Sequence, residues 1–279
     1  MSERIQKVLS RLGVGSRRQI EAWISEGKIQ INKKPAQLGD HITVSDRVYV
    51  KGKQIDLSRL DQVRRRVIAY YKNEGEICSR DDPEHKDSVF DHLPKLDNGR
   101  WIAIGRLDLN TCGLMLFTTD GELANRLMHP SFEIEREYAS RVLGEVSADA
   151  LENMLNGVEC EDGVLKFDQI RDAGGSGANH WYHVILHQGR YREVRRLWES
   201  QGIKVSRLKR VRYGSIILPR SLRQGNWIEL EPAQIKELLD MTGMKAEPQS
   251  REQHKPVSRH PGHRKKKSPY KKRPRSSRS

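Results

Sequence analysis

The chain has 279 residues, 35% hydrophobic and 32% charged, with 51 Lys and Arg against 37 Asp and Glu and a formal net charge of +14. That length holds one large domain and one small one, each with a core of its own, and the surplus of positive charge calls for a polyanionic partner. No apolar run is long enough to span a bilayer, Met1 opens no signal-peptide pattern, and Cys78, Cys112 and Cys160 are odd in number and scattered; a soluble, unexported, cytoplasmic protein with reduced thiols and no membrane partner is expected.

Ile5, Val8, Leu9 and Leu12 have helical spacing, and Gly13 ends that helix. Ser16 with Gln19 three residues on is a capping-box pattern for a second helix, with Ile20, Trp23 and Ile24 inward and Gly27 as its stop. Alternation over Lys28 to Asn32 predicts a strand turning at Lys33-Lys34-Pro35, and His41 to Val44 and Arg47 to Val50 read as two more. Lys7, Arg11, Arg17 and Arg18 fall where the two helices meet and form a basic face, which for any one of them is also an ordinary solvated helix surface. Residues 52–62 are polar and aperiodic, so the chain divides into a first domain over 1–57, a linker over 58–64, a second domain over 65–244 and a tail over 245–279.

The second domain opens with a strand over Arg66 to Lys72. The loop Ser79 to Asp91, with Asp81, Asp82 and Asp87, is a poor phosphate contact; its carboxylates lack the spacing of a calcium loop, so it is taken as solvated. Next comes GRLDLNTCGLMLFTTDG, Gly105 to Gly121, whose run Leu114-Met115-Leu116-Phe117 is a buried strand, with Asp108 on the loop feeding it. Asp108 has two readings from the residues alone: a turn aspartate capping its own backbone, or a carboxylate held on a loop for chemistry. A helix over Glu122 to Met128, a strand over Glu133 to Val142, a helix over Ala148 to Asn156 and a strand over Leu165 to Ile170 follow.

Gly174-Gly175-Ser176-Gly177 matches no phosphate loop or nucleophile elbow and is expected to be a hairpin tip. His180 to Leu186 is a strand, and Gly189 to Trp198 leads into a helix with apolar residues at 194, 197 and 198. Nine bases fall between Arg190 and Arg212. The domain closes through Asn226 to Leu230 and a helix near Ala233 to Leu239. The tail holds 13 Lys or Arg against two acids and almost no apolar residue, so disorder is expected there. Neither His nor Cys falls into a paired ligand spacing, so no metal is expected.

Three strings resemble known families. Ser16-Arg17-Arg18 and Gly27 to Asn32 are similar to the S4-like RNA-binding domain over about fifty residues. The Gly-Arg-Leu-Asp and Thr-x-Gly-Leu pieces of Gly105 to Gly121 resemble the catalytic signature of the small-subunit-A type of pseudouridine synthases. Glu76 to Arg80 and Glu122 to Pro130 place the resemblance in the branch acting on the large ribosomal subunit, and it covers the chain to about residue 240. The implied fold is α+β: a small S4-like domain, then a catalytic domain on a mixed, largely antiparallel sheet. The implied reaction converts uridine to pseudouridine with Asp108 as nucleophile, Tyr138 stacking on the uracil and serving its deprotonation, Arg195 pairing with the Asp, and Arg106 entering the space left by the flipped base.

With Arg106, the implied RNA contacts are Lys7, Arg11, Arg17, Arg18, Lys28, Arg190 and Arg192. The implied partner is large-subunit ribosomal RNA or its assembly precursor, the enzyme a monomer without cofactor. The family usually has Lys-Pro-x-Gly where this chain has Lys72-Asn73-Glu74-Gly75, so a less rigid turn is expected. The rival reading is a non-catalytic assembly factor or RNA chaperone, marked by a lost aspartate, whereas Asp108 is present. A sugar hydrolase would need a second carboxylate in a matching motif.

Overall fold

This computed structural model describes residues 2–80, 82, 87–176 and 178–245. Asp81, Gly177 and the tail from 246 onward, with the expectations made for them, lie outside the described residues.

The first part contains β1 (Glu3–Arg4), α1 (Ile5–Arg11), α2 (Arg17–Ser25), β2 (Ile29–Ile31), β3 (Lys34–Pro35), β4 (His41–Ile42), β5 (Val48–Val50) and β6 (Lys53–Ile55). Ser16 caps α2 by accepting the Gln19 N–H at 3.1 Å. The periodic apolar residues of both helices, Ile5, Val8, Leu9, Ile20 and Ile24, meet Ile29, Ile42, Val48 and Val50 in one buried core. Where the sequence suggested a linker, β6 extends an antiparallel sheet of order β3-β2-β5-β6, and Leu57 and Leu60 of a 3-10 turn are buried in this same core. Its polar composition hid the segment, because two leucines suffice to anchor it. This part docks on the 97–99 loop: Arg59 donates to the Asp97 carbonyl at 3.0 Å, and Gly13 approaches Gly99 so closely that a Cβ would lie 2.4 Å from its carbonyl oxygen.

The second part contains β7 (Val67–Lys72), β8 (Ile102–Ile104), β9 (Cys112–Thr118), α3 (Gly121–Met128), β10 (Arg136–Leu143), α4 (Ala148–Asn156), β11 (Gln169–Ser176), β12 (Asn179–Leu186), α5 (Glu193–Ser200), β13 (Lys204–Tyr213), β14 (Ile216–Ile217), β15 (Trp227–Glu229) and α6 (Pro232–Met241). Its sheet has the order β11-β12-β10-β13-β9-β7-β15, with β8 beside β9 and β14 beside β13. Among the described residues the β13 to β9 pairing is parallel and the other strand pairings of this sheet are antiparallel. All of β9 is buried: Leu114 and Leu116 enter a core with α3 and α6, Met115 and Phe117 a second core with α4 and α5. Two-sided burial explains the unbroken apolar run.

Two expectations need correction. Leu165 makes only an isolated bridge with Val158, and the strand begins at Gln169, because Leu165 and Phe167 are drawn into the core under α4. Gly174 and Gly175 belong to β11 and not to a tip; a side chain at 175 would meet the Asn179 carbonyl at 2.3 Å, so glycine permits the close pairing. Among the described residues no helix is long and apolar enough to cross a membrane.

Candidate active site

Asp108 sits in the connection between β8 and β9, and the backbone there is constrained from both sides. Gly113 has φ +110°, and a Cβ on it would lie 2.3 Å from the carbonyl oxygen of Arg210, its neighbour in β13. Below the loop, the fully buried Lys72 Nζ donates to the carbonyls of Asn73 (2.9 Å), Asp108 (3.1 Å) and Thr111 (2.9 Å). Burial lowers the Lys72 pKa, with Cys78, Glu76, Cys112 and Asp108 opposing the shift. The Gly75 N–H adds a bond to the Leu109 carbonyl at 2.9 Å.

The turn without proline is braced in another way. Asn73 donates its backbone N–H to Glu76 at 3.1 Å, which a proline could not do, and its side-chain amide to the same carboxylate. The Tyr70 hydroxyl donates to both Glu76 oxygens, at 2.9 and 2.8 Å. Glu76, Asp87 and His92 bring three potential metal-ligand atoms within 4.8 Å of one another, but Glu76 is engaged by Tyr70 and Asn73, and the group reads as a hydrogen-bond network.

Asp108 borders two cavities, of about 620 and about 290 Å³, that share Tyr191 and Arg192. The larger brings together five residues singled out from the sequence: Arg106, Asp108, Tyr138, Arg190 and Arg192. Tyr138 reaches it from β10, where it pairs with Val184 and Arg210 and is 8% exposed. Arg195 borders the smaller cavity with Asp108, but its guanidinium donates to the carbonyls of Asn110 (2.7 Å) and Val205 (3.1 Å). Among the described residues no ion pair within 4.0 Å joins it to Asp108, so the pairing implied by the resemblance is not formed here. Burial and the Arg192 charge lower the Arg195 pKa, and the Asp108 charge opposes this.

Lys7, Arg11, Arg17, Arg18 and Lys28 line neither cavity. Lys7 and Arg11 both pair with Glu3, at 2.9 and 3.2 Å, Lys28 pairs with Glu26 at 2.5 Å, and Arg17 and Arg18 are exposed at the start of α2.

Sequence reasoning missed three buried charges on the larger cavity. Arg136 donates to the Ile134 and His187 carbonyls, and Arg210 Nε donates to Leu114 at 2.7 Å. Glu193 accepts the Arg190 N–H at 2.8 Å, and burial raises its pKa against the pull of the Arg190 and Gly189 N–H groups. Their only sequence signal was position beside Tyr138 and inside the cationic runs. Thr111 Oγ1, Glu193 Oε1 and Arg210 Nη2 are buried without hydrogen-bond partners among the described residues, and all three residues border this cavity. A polar occupant offering both donors and acceptors suits such a set.

Residues 66–200 match the RNA pseudouridylate synthase family, and residues 3–48 match the S4 domain. The chain is 53% identical over 253 residues to ribosomal large subunit pseudouridine synthase B of Shigella flexneri, covering 90% of this chain and 87% of the relative. The chain belongs to the pseudouridine synthase family. Synthase B proteins of Pseudomonas aeruginosa, 51% identical over 93% of this chain and 71% of theirs, and of Vibrio cholerae, 51% identical over 88% and 77%, are similar to the same extent. A crystal structure of a pseudouridylate synthase, 22% identical, superposes with a TM-score of 0.59 over 84% of this chain and 99% of that one, so the synthase fold is shared well beyond close sequence likeness. The architecture is therefore an N-terminal S4 domain followed by a synthase domain on a mixed, mostly antiparallel sheet.

Proposed function

We propose that this synthase isomerises a uridine of large-subunit ribosomal RNA, or of its assembly precursor, to pseudouridine, with Asp108 as the nucleophile. The observation that carries the reading is the convergence of Asp108, Tyr138 and Arg106 on one cavity, in a chain half identical to the synthase B proteins. In the reaction the Asp108 carboxylate bonds transiently to the nucleotide and is released unchanged, and in sum the N1–C1′ bond breaks, the base turns, a C5–C1′ bond forms, the C5 proton leaves and N1 gains one. Electrons and groups balance within the nucleotide, so no redox partner or donated group is required.

The residues divide the task. The Lys72 brace holds the loop so that the Asp108 carboxylate meets the nucleotide in one orientation, which is where proximity lowers a barrier most. Arg195 lies beside Asp108 in the smaller cavity and brings a positive charge to the side of the loop that carries the nucleophile. Tyr138 stacks on the uracil and serves the final deprotonation. A stacked base is out of reach, so the uridine must leave its helix, and Arg106, exposed at the cavity rim, fills the gap. Lys7, Arg11, Arg17, Arg18 and Lys28 hold the RNA from the S4 domain, and Arg190 and Arg192 hold it beside the cavity. The enzyme works as a cytoplasmic monomer.

Pseudouridine mapping of ribosomal RNA from cells with and without the gene tests this reading. One large-subunit uridine should remain unmodified without the gene and regain pseudouridine when the purified chain is added. An unchanged pseudouridine map refutes the proposal.

A further inference from the structure

The face of the large sheet turned away from the cavity has an order that the reaction does not use. Arg141 of β10 lies directly opposite Trp181 of β12 on one side and Arg207 of β13 on the other. Arg171 of β11 lies opposite His183, which lies opposite Ala139, and Ala139 faces Lys209. Because successive strand residues alternate, these side chains share one face, while Tyr138, Val142, Val184 and Leu208 point into the core and cavity. Helices α4 and α5 pack on the core side, and α3 and α6 cover β7 and β9, so among the described residues no helix covers this four-strand stretch. Arg207 is exposed, the Arg171 side chain is 74% exposed, and Arg141, Trp181, His183 and Lys209 are half-buried.

The charge on this face is one-sided. Glu137 on this face is shared by His183 at 2.6 Å, Arg212 at 2.9 Å and Arg171 at 3.9 Å, and Arg212 also takes Glu135 at 2.8 Å, so among the described residues Arg141, Arg207 and Lys209 have no carboxylate partner and the face keeps a surplus of positive charge. Arg141 and Arg207 are like charges in directly paired positions, an arrangement that costs a sheet stability and that a polyanion relieves. The Arg141 guanidinium lies 6.0 Å from the centre of the Trp181 ring, so cation and aromatic surface are presented together. Cations interleaved with an accessible aromatic ring suit an RNA strand, whose phosphates meet the arginines and whose unpaired bases stack.

We propose that this face is a second RNA-binding surface, which holds a segment of the ribosomal RNA other than the one whose uridine enters the cavity. The proposal rests on the reading of ribosomal RNA as substrate. Its position on the reverse of the sheet keeps the two segments apart, and it gives the enzyme a preference for long RNA that its active site alone cannot supply.

The full-length chain carrying Arg141→Gln, Arg171→Gln and Arg207→Gln tests it against two RNAs: a short hairpin containing the mapped uridine, and a long large-subunit fragment containing that hairpin. Each phosphate contact on a single strand contributes about 0.7 to the slope of log affinity against log salt, so the triple change should make the long-fragment slope shallower by about two and weaken binding at least about tenfold. Affinity for the hairpin and turnover on it should stay within about twofold of the parent. Unchanged affinity for the long fragment overturns the proposal, and so does an equal loss on both RNAs. Arg207→Glu alone, at an exposed position with no ion pair among the described residues and opposite Arg141, should weaken long-fragment binding without affecting the hairpin, and no effect from it overturns the proposal as well. Failure of the unmodified chain to convert the hairpin uridine contradicts the catalytic reading instead, so the two ideas fail separately.

Discussion

Replacing Lys72 with Met should cost catalysis far more than it costs RNA binding. Its buried Nζ joins the carbonyls of Asn73, Asp108 and Thr111, and so ties the end of β7 to both sides of the loop that carries Asp108. A buried carbonyl left without a partner costs about 1–3 kcal/mol. Asp108 keeps its bond from the Thr111 N–H at 3.0 Å, so the full cost falls on the carbonyls of Asn73 and Thr111. Met recovers part of the loss, because the ammonium was desolvated, and a net destabilisation of about 2 kcal/mol is expected. The loop then relaxes, and a displacement of the carboxylate by about 1 Å lowers turnover on the order of a hundredfold. The assay is release of label from carbon 5 of the target uridine at saturating RNA, with binding measured in parallel. A folded Lys72→Met chain whose turnover stays within about threefold of the parent would refute the positioning argument.

Gly113→Ala should destabilise the fold by at least about 3 kcal/mol in denaturant titration, since it combines a positive φ with a Cβ against the Arg210 carbonyl; a loss below about 1 kcal/mol contradicts the packing described. Burial pushes the Glu137 pKa up, but the bonds from His183 and Arg212 outweigh it and leave it below the ordinary 4.5. A carboxylate depressed in the folded state contributes stability above its unfolded pKa and loses it as pH falls through the folded value, so Glu137→Gln should flatten the stability profile below about pH 4.5, and an unaltered acid limb refutes the assignment. Removing residues 245–279, with 13 Lys or Arg against two acids, should weaken RNA binding at low salt and flatten its salt dependence while saturated turnover is unchanged; abolished turnover would place catalytic function in the tail. Changing Arg17 and Arg18 together to Ala should lower discrimination between the true hairpin and unrelated RNA in competition binding, and intact discrimination removes them from recognition.

The run Leu114 to Phe117 announced a strand buried on both faces, and the structure sends alternate residues of it into two cores. The Ser16 cap and the apolar faces of α1 and α2 were equally legible, because they depend on neighbours within a few residues. β13 was not read as a strand. Its alternation is broken by two register shifts, and its inward Arg210 looks like one more surface cation until the sheet closes over it. Lys72 was visible as the end of a strand and the first residue of a turn, but not as the brace of the Asp108 loop, since its partners are main-chain carbonyls that carry no sequence signal. Arg136 and Glu193 were missed for a similar reason: each is anchored to backbone groups, and burial of a charge is decided by the fold. Family motifs brought Asp108, Tyr138 and Arg106 to notice together, but could not reveal that Arg195 spends its guanidinium on the carbonyls of Asn110 and Val205.

The central claim is that the Asp108 carboxylate attacks the nucleotide, and Asp108→Asn tests it most directly. The amide keeps the size and the loop, whose bonds run through the backbone of Asp108 and its neighbours, but it is no nucleophile. Release of label from carbon 5 should fall to background in the Asn variant while hairpin affinity stays within about twofold of the parent. Turnover retained by a homogeneous Asp108→Asn chain would contradict the account.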